Sequence, residues 1–414
     1  MPAKKLEIDE PFFREWRRRR PGDKRSLARA RSFMRLLGIE DVRVPILTVV
    51  GSKGKATTAV YAAATLAAHG LKAGLLTSPP IIENRERFRV GGVAIGAADY
   101  ELLSRRLDGL LAQLPATEDG GYLSPTGLFT MMGVRYMVDA GCDVLVLEAG
   151  LGGRSDEVSL FGAQAVAITR IFGEHADIIG PTIADIAADK AGVVGESTKA
   201  VISIHQSAEV AGIIAGRVSE MGSRLEYLDP PGGRDEVEGG SAIVSAKGVS
   251  YHNARLGVRA ASELAQLLAM NAIAPERLRS VLATVSTPGR LSVHLDASGR
   301  TWIVDAAIDG VGAAAALRYC ELNYGAPTTI LVSIPDSKDV AGVRSALSGY
   351  GCVPVKLAEE HLSFGVELWE TPLVDVEDVE QHIRGDRVLA LGTWSFVSII
   401  LHRLHVRNDV AFRV

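Results

Sequence analysis

The side chains richest in chemistry sit in one short stretch, Gly51-Ser52-Lys53-Gly54-Lys55-Ala56-Thr57-Thr58. It follows an apolar, β-branched run from Ile46 to Val50. An alanine-rich run with helical character follows, from about Ala56 to His69. Strand, glycine loop and helix in that order present backbone N–H groups at a helix N-terminus, where the partial positive charge favours a phosphate chain. Gly51 and Gly54 permit the turn and the close approach of an anion. Lys55 can reach β- and γ-phosphates, and a hydroxyl at Thr57 or Thr58 suits Mg²⁺. The spacing departs from G-x-x-x-x-G-K-[ST], because the glycines are closer together and Ala56 separates lysine from hydroxyl. An ordinary glycine turn is the alternative this loop alone leaves open.

A carboxylate comes next. Asp143–Glu148 is an apolar strand ending in Glu148, with Ala149-Gly150-Leu151-Gly152-Gly153 directly behind it. Ligands of open parallel sheets bind at the carboxyl ends of strands. Glu148 therefore stands where a metal or substrate ligand is expected, the alternative being a simple strand-end cap. Gly173-Glu174-His175 follows another apolar strand, and the helical run Ile183–Gly192 carries Asp185, Asp189 and Lys190. A loop histidine and a surface lysine paired with Asp185 or Glu174 are the plain readings of His175 and Lys190.

The elements that must position these groups alternate along the chain. Strands are expected at Ile46–Val50, Ala73–Thr77, Asp143–Glu148, Ala165–Thr169 and Val201–Ser203, and helices at 26–38, Ala56–His69, Thr126–Ala140, Ile183–Gly192, Ala208–Met221, 254–271 and Ala274–Thr284. A Phe12–Arg20 segment ends in four arginines, Arg17 to Arg20, read as a solvated helix end. Residues 83–90 alternate charge and apolarity, and Pro230–Gly240 reads as a surface loop. After Ser286-Thr287-Pro288-Gly289-Arg290, taken as an interdomain joint, a second βα alternation begins. Its strands are expected at Trp302–Asp305, Thr329–Ser333, Val353–Lys356 and Val388–Leu391, and its helices at Val311–Leu322, Val340–Leu347 and Ser395–Leu404. Alternation of this kind predicts α/β architecture. With 414 residues, 47% of them hydrophobic, the chain can fill two cores.

A net charge of −4 gives no reason to expect nucleic acid or an anionic membrane as partner. Three widely spaced cysteines make neither a metal pattern nor a disulfide framework, which fits a reducing compartment. No uninterrupted apolar run reaches the roughly 18–20 residues of a membrane span. A soluble, cytoplasmic protein is expected, working as a monomer or weak homodimer.

Six stretches, in order, resemble the folylpolyglutamate synthase/dihydrofolate synthase family of Mur-type ATP-dependent ligases. The loop Gly51–Thr57 resembles G-T-N-G-K-G-S. Thr77-Ser78-Pro79 with Glu86-Arg87 resembles T-S-P-H…N-E-R, and Leu147–Asp156 resembles L-E-V-G-L-G-G-R-x-D. Glu174-His175 stands for D-H, Ala188–Gly192 for x-x-K-A-G, and Pro288–Leu291 for P-G-R-L. The resemblance implies a P-loop Mur-ligase-type domain over 1–286 and a smaller Rossmann-like α/β domain over 287–414. It implies ATP-dependent amide formation through an acyl phosphate, with ATP and two Mg²⁺ ions. Gly51 to Thr58 would hold the nucleotide phosphates, Lys55 stabilising them. Thr57 and Glu148 would bind one metal and His175 the second. Lys190 would match the family's carbamylated lysine. Arg290 would meet the nucleotide phosphates from the second domain, and Asp305 the ribose.

The pattern also breaks. Lys53 replaces the loop asparagine, Ala56 a glycine, and Pro80 the histidine of T-S-P-H. The helix start F-E-x-x-T appears as Thr126-Gly127-Leu128-Phe129-Thr130, without its glutamate. D-G-A-H-N-P has become Asp305-Ala306-Ala307-Ile308-Asp309-Gly310. An isoleucine cannot bond a carboxylate or move a proton as imidazole can. The expectation is a repurposed ligase with a non-standard acid–amine pair. The alternatives are a genuine folylpolyglutamate or dihydrofolate synthase, a non-catalytic nucleotide-binding partner subunit, and a kinase-like ATPase.

Overall fold

A computed structural model describes residues 2–115, 121–173, 178–228, 249–359, 362–365, 369 and 371–414. The chain divides into two units, residues 1–246, 250–285 and 409–414 in the first and 247–249 and 286–408 in the second. The sequence reading ran the second domain to residue 414. Asp409–Val414 instead groups with the first unit, where Ala94 N–H bonds Asp409 carbonyl at 2.8 Å and Phe412 is buried.

The first unit is built on an eight-stranded sheet of order β4-β3-β2-β5-β1-β6-β7-β8. The strands are β1 (Ile46–Val50), β2 (Ala73–Leu76), β3 (Phe88–Val90), β4 (Val93–Ala94), β5 (Val144–Glu148), β6 (Ala165–Ile168), β7 (Ala200–Ser203) and β8 (Arg224–Tyr227). The run from β2 to β8 is parallel, and β3 and β4 add an antiparallel edge. Strands β1, β2, β5, β6 and β7 are buried along their whole length, which is why they read as continuous apolar runs rather than alternating ones.

Helices cover both faces: α1 (Pro2–Arg18), α2 (Leu27–Leu37), α3 (Lys55–Ala68), α4 (Ala97–Leu111), α5 (Pro125–Asp139), α6 (Ile183–Ala191), α7 (Ala208–Glu220), α8 (Val249–Leu267) and α9 (Pro275–Leu282). One core holds Phe12, Phe33, Phe88, Phe129 and Met132, and the other holds the alanine-rich face of α3 against α8. Alanine lets α3 lie close to both the sheet and α8, where Gly257 offers no side chain to Thr58. Ends follow local rules. Ser26 caps α2, Ser124 caps α5 ahead of Pro125, and Thr182 with Asp185 makes a reciprocal capping pair on α6.

Because β1 lies between β5 and β6, the chain leaves β1 toward one side and returns to the other. This is the switch point at which an open parallel sheet leaves a crevice beyond its carboxyl ends. The glycine loop follows β1, Glu148 ends β5, and Thr169 follows β6.

The second unit carries a six-stranded sheet of order β13-β12-β11-β14-β10-β9. Its strands are β9 (Ser292–Leu295), β10 (Thr301–Asp305), β11 (Thr329–Ser333), β12 (Cys352–Lys356), β13 (Val374–Asp375) and β14 (Arg387–Gly392). Only β9 is antiparallel, and helices α10 (Gly310–Tyr324), α11 (Val340–Ala346) and α12 (Trp394–Arg403) complete the α/β pattern.

Six strands and helices escaped the sequence. The short β3, β4, β8, β9 and β13 and the amphipathic α4 have weak periodicity or lie at the sheet edges. The charge alternation at 83–90 is no exposed ribbon: a 3₁₀ turn at Asn84–Arg87 leads into β3, and Glu86, Arg87 and Arg89 are buried. The expected loop at Pro230–Gly240 lies outside the described residues. Among the described residues no helix is long and apolar enough to cross a membrane.

Candidate active site

The glycine loop is stapled on both flanks. Ser52 N–H donates to the Arg170 carbonyl at 2.9 Å, and its hydroxyl meets the backbone of Phe172 at 3.2 Å. Gly51 has φ +136°, and a Cβ there would come within 2.0 Å of the Thr169 hydroxyl. Only glycine fits this position. On the other flank the Asn253 side chain packs on Gly54, and the Asn253 carbonyl accepts the Thr58 hydroxyl at 2.9 Å. Thr58 is thereby spent on docking α8, whereas Thr57, also buried, begins α3 beside Lys55 and Ala56. Lys53 forms a backbone bridge with Arg170.

Two lysines converge on this loop. Lys55 folds back so that its Nζ donates to the Gly51 carbonyl at 3.0 Å and to the Ser52 carbonyl at 3.3 Å. Lys190, fully buried on α6, donates to the same Gly51 carbonyl at 3.0 Å and to the Leu151 carbonyl at 3.0 Å. Lys190 is not a surface residue: Asp185 is occupied by Thr182 at the exposed start of α6. The shared carbonyl thus fixes where both ammonium groups stand at the loop.

Glu148, 2% exposed, ends β5 and accepts the Ser78 N–H at 2.8 Å. The glycine-rich loop behind it is held against α6 by Asp189, which the sequence reading gave no role. Its carboxylate accepts Gly153 N–H at 2.8 Å, Ser155 N–H at 3.0 Å and the Ser155 hydroxyl at 3.0 Å. A Cβ on Gly153 would lie 2.4 Å from the Asp189 carbonyl and 2.5 Å from the Lys190 Cα. The glycines therefore let α6 approach closely enough for Lys190 to reach the loop.

A buried ionic cluster lies on the far side of the same loop. Arg25 pairs with Glu157 and lies 3.7 Å from Asp156. Asp156 accepts Leu151 N–H at 3.1 Å, and Glu157 accepts the Ser124 hydroxyl at 3.0 Å. Burial holds the Glu157 carboxyl above the usual carboxylate range, the Arg25 charge opposing it. A Cβ at Gly127 would lie 2.1 Å from the Glu157 carboxyl. The Glu157 carboxyl thus fills the space that a side chain at position 127 would take, a juxtaposition that no local spacing could reveal.

In the second unit, Asp305 accepts Leu291 N–H at 2.7 Å and so holds Leu291 at φ +51°. Arg290 lies on that turn with its guanidinium 4.7 Å from the centre of the Trp394 ring. Ile308 packs on the apolar core, and Asp309 caps α10 through Gly312 N–H at 2.7 Å. His175 and Glu174 lie outside the described residues.

Magnesium asks for oxygen ligands and keeps part of its water. Among the described residues no three His, Cys, Asp or Glu side chains gather into a metal group. Thr57, in the first turn of α3, and Glu148, at the end of β5, supply a hydroxyl and a carboxylate, oxygen donors of the kind that Mg²⁺ takes beside phosphate and water.

No protein-family model matches the chain. It is 28% identical to the dihydrofolate synthase/folylpolyglutamate synthase of Mycobacterium tuberculosis, over 78% of this chain and 72% of that protein. To the enzyme of that name from Escherichia coli it is 26% identical, over 88% and 87%. Against plant and mammalian folylpolyglutamate synthases the match spans 33% to 48% of their length. The fold matches that of Mycobacterium tuberculosis folylpolyglutamate synthase complexed with ADP and AMPPCP, with a TM-score of 0.79 and 21% identity over 98% of this chain and 99% of that one. Fold and relatives define an ATP-dependent carbon–nitrogen ligase of the Mur type, forming ADP and phosphate. Within that class the chain is similar to the dihydrofolate synthase/folylpolyglutamate synthases, at 28% and 26% identity.

Proposed function

We propose that the chain joins a carboxylic acid to an amine other than the standard dihydropteroate–glutamate or folate–glutamate pair. The acid's carboxylate oxygen attacks the γ-phosphorus of ATP, ADP leaves, and the acyl phosphate is taken by the amine with loss of phosphate. The convergence of Lys55 and Lys190 on one carbonyl at the phosphate loop carries this reading. Transfer between two anions needs cations fixed in advance, and preorganised charge in a dry site is worth more than in water. Lys55 steadies the phosphates, with Gly51, Ser52, Lys53, Gly54, Ala56, Thr57 and Thr58 forming the cradle. Thr57 and Glu148 hold one Mg²⁺ and His175 a second, which supply charge neutralisation when bound. A carbamate on Lys190 would add a carboxylate while keeping one N–H donor for the loop carbonyls. Arg290 and Asp305 serve the nucleotide phosphates and ribose.

The non-standard acceptor rests on the second unit. Where the family has histidine and asparagine, Ile308 is committed to the core and Asp309 to a helix cap. Neither can present an imidazole or amide to glutamate. On the acid side, a carboxylate pair with Arg25 occupies the loop beside Gly127. A genuine folylpolyglutamate or dihydrofolate synthase is the second reading, favoured by the names of the relatives. ADP release with dihydropteroate or tetrahydrofolate plus glutamate, set against other acid–amine pairs, separates the two. Turnover of the folate pairs alone would establish the second.

A further inference from the structure

Arg87 is a buried cation whose polar partners are all neutral. Its residue is 7% exposed. Nε donates to the Asn84 side-chain carbonyl at 3.0 Å, and Nη1 donates to the Ser78 hydroxyl at 2.8 Å. The guanidinium lies 4.3 Å from the centre of the Phe129 ring, itself stacked on Phe12 at 4.0 Å. Among the described residues no carboxylate lies within ion-pair distance of it, Glu148, Asp9 and Glu86 acting on it only from farther off, whereas buried Arg25 has two in contact range. Nη2 makes none of these bonds.

The head is also fixed in aim. Asn84 donates its amide N–H to Asp9 at 2.9 Å, and Asp9 accepts the Tyr100 hydroxyl at 2.5 Å. That fixes the Asn84 carbonyl toward Arg87. Ser78, which accepts Nη1, hands its own N–H to Glu148 at 2.8 Å. One residue thus links Arg87 to the end of β5, where activation is proposed. A guanidinium buried with its counter-charges only beyond contact distance is costly to hold, and an anion in direct contact relieves that cost. A planar fork with a spare N–H suits carboxylate better than a point charge does.

We propose that Arg87 receives the carboxylate of the acid substrate and presents it beside Glu148, with Phe129 as the floor under the guanidinium. This rests on the ligase reading above. The nucleotide γ-phosphate offers the same anionic chemistry, and the test separates the two sources.

The full chain with Mg²⁺ and AMPPCP is titrated with acetate, benzoate, dihydropteroate and folate, reading carboxylate affinity and, separately, AMPPCP affinity. At least one carboxylate is expected to bind the wild type, at least tenfold more weakly to Arg87→Lys and undetectably to Arg87→Met, with AMPPCP affinity within twofold throughout. Asn84→Ala, which frees the head but keeps the charge, serves where Arg87→Met does not fold and is expected to weaken carboxylate binding severalfold. Unchanged carboxylate affinity in these variants, a parallel loss of AMPPCP, or no carboxylate binding to the wild type overturns the proposal. The ligase reading fails on a different result: carboxylates bind, but no acid–amine pair releases ADP.

Discussion

Lys55 and Lys190 donate to one oxygen, the Gly51 carbonyl, each at 3.0 Å. Their ammonium nitrogens are therefore no more than about 6 Å apart, a repulsion of about 3 kcal/mol at an effective dielectric near 20. The glycine loop holds the two charges together, and an anion placed between them turns repulsion into binding. The two lysines differ in what else they do. Lys55 is half-exposed at the head of α3, whereas Lys190 ties α6 to two loops from the interior.

That difference predicts two mutant behaviours. Lys55→Met should weaken AMPPCP binding by about 10- to 100-fold, the loss of one charge-assisted contact, and leave the melting temperature without ligand unchanged. Lys190→Met should lower both, because the Gly51 and Leu151 carbonyls lose their buried donor, at about 1–3 kcal/mol. Calorimetric titration beside thermal unfolding checks both. Equal loss of stability in the two variants contradicts the assignment.

Gly153→Ala should destabilise the first unit by about 2–4 kcal/mol, since the new methyl would meet the backbone of Asp189 and Lys190, which cannot turn aside. Gly195→Ala is the control: nothing lies within 4 Å of its added Cβ. Urea unfolding midpoints compare the pair, and equal midpoints would count against close docking of α6.

The Arg25 cluster predicts a pH dependence. Glu157 sits above its unfolded pKa because of burial, so the native state binds the extra proton and stability falls as pH rises above about 4.3, the ordinary glutamate value. Arg25→Met removes the opposing charge and raises the Glu157 carboxyl further. The variant should lose about 3–5 kcal/mol at pH 7.5 and distinctly less near pH 5. A loss independent of pH would mean that Arg25 contributes packing rather than charge.

Asp305 shapes the turn that carries Arg290. Asp305→Ala should release Leu291 from its positive φ, move Arg290 and lower stability, whereas Leu291→Gly with Asp305 kept should gain about 1 kcal/mol by removing the backbone strain, a gain that should vanish in the double variant. Thermal unfolding of the single and double variants reads the coupling. Simple additivity would mean that the carboxylate and the strained turn act separately.

The parallel strands and the helices were legible because both follow from continuous apolar runs and periodic stripes, and the β1 loop announced itself through glycine and lysine. Glu148 was placed by the end of its strand. What stayed hidden depended on distant partners. Arg87 and Arg89 look solvated in an alternating charged run, yet the 3₁₀ turn carries the first inside and β3 the second. Asp189 reads as one acid on an acidic helix, and only the approach of Gly153 shows what it holds. The meeting of the Glu157 carboxyl with Gly127 needs two distant stretches to come together in space. Asn253 lies on a helix whose other signals are apolar, and nothing nearby ties it to the phosphate loop it covers.

The most direct test of the central claim is ADP release by the full chain with Mg²⁺ and ATP. A panel of carboxylic acids would be run with and without amino acids and ammonia, including dihydropteroate and tetrahydrofolate with glutamate. The account predicts ADP release that requires both an acid and an amine, fastest with a pair other than the folate ones and abolished in Lys55→Met. ADP release that is independent of acid, or no release from any pair while AMPPCP still binds, would contradict it.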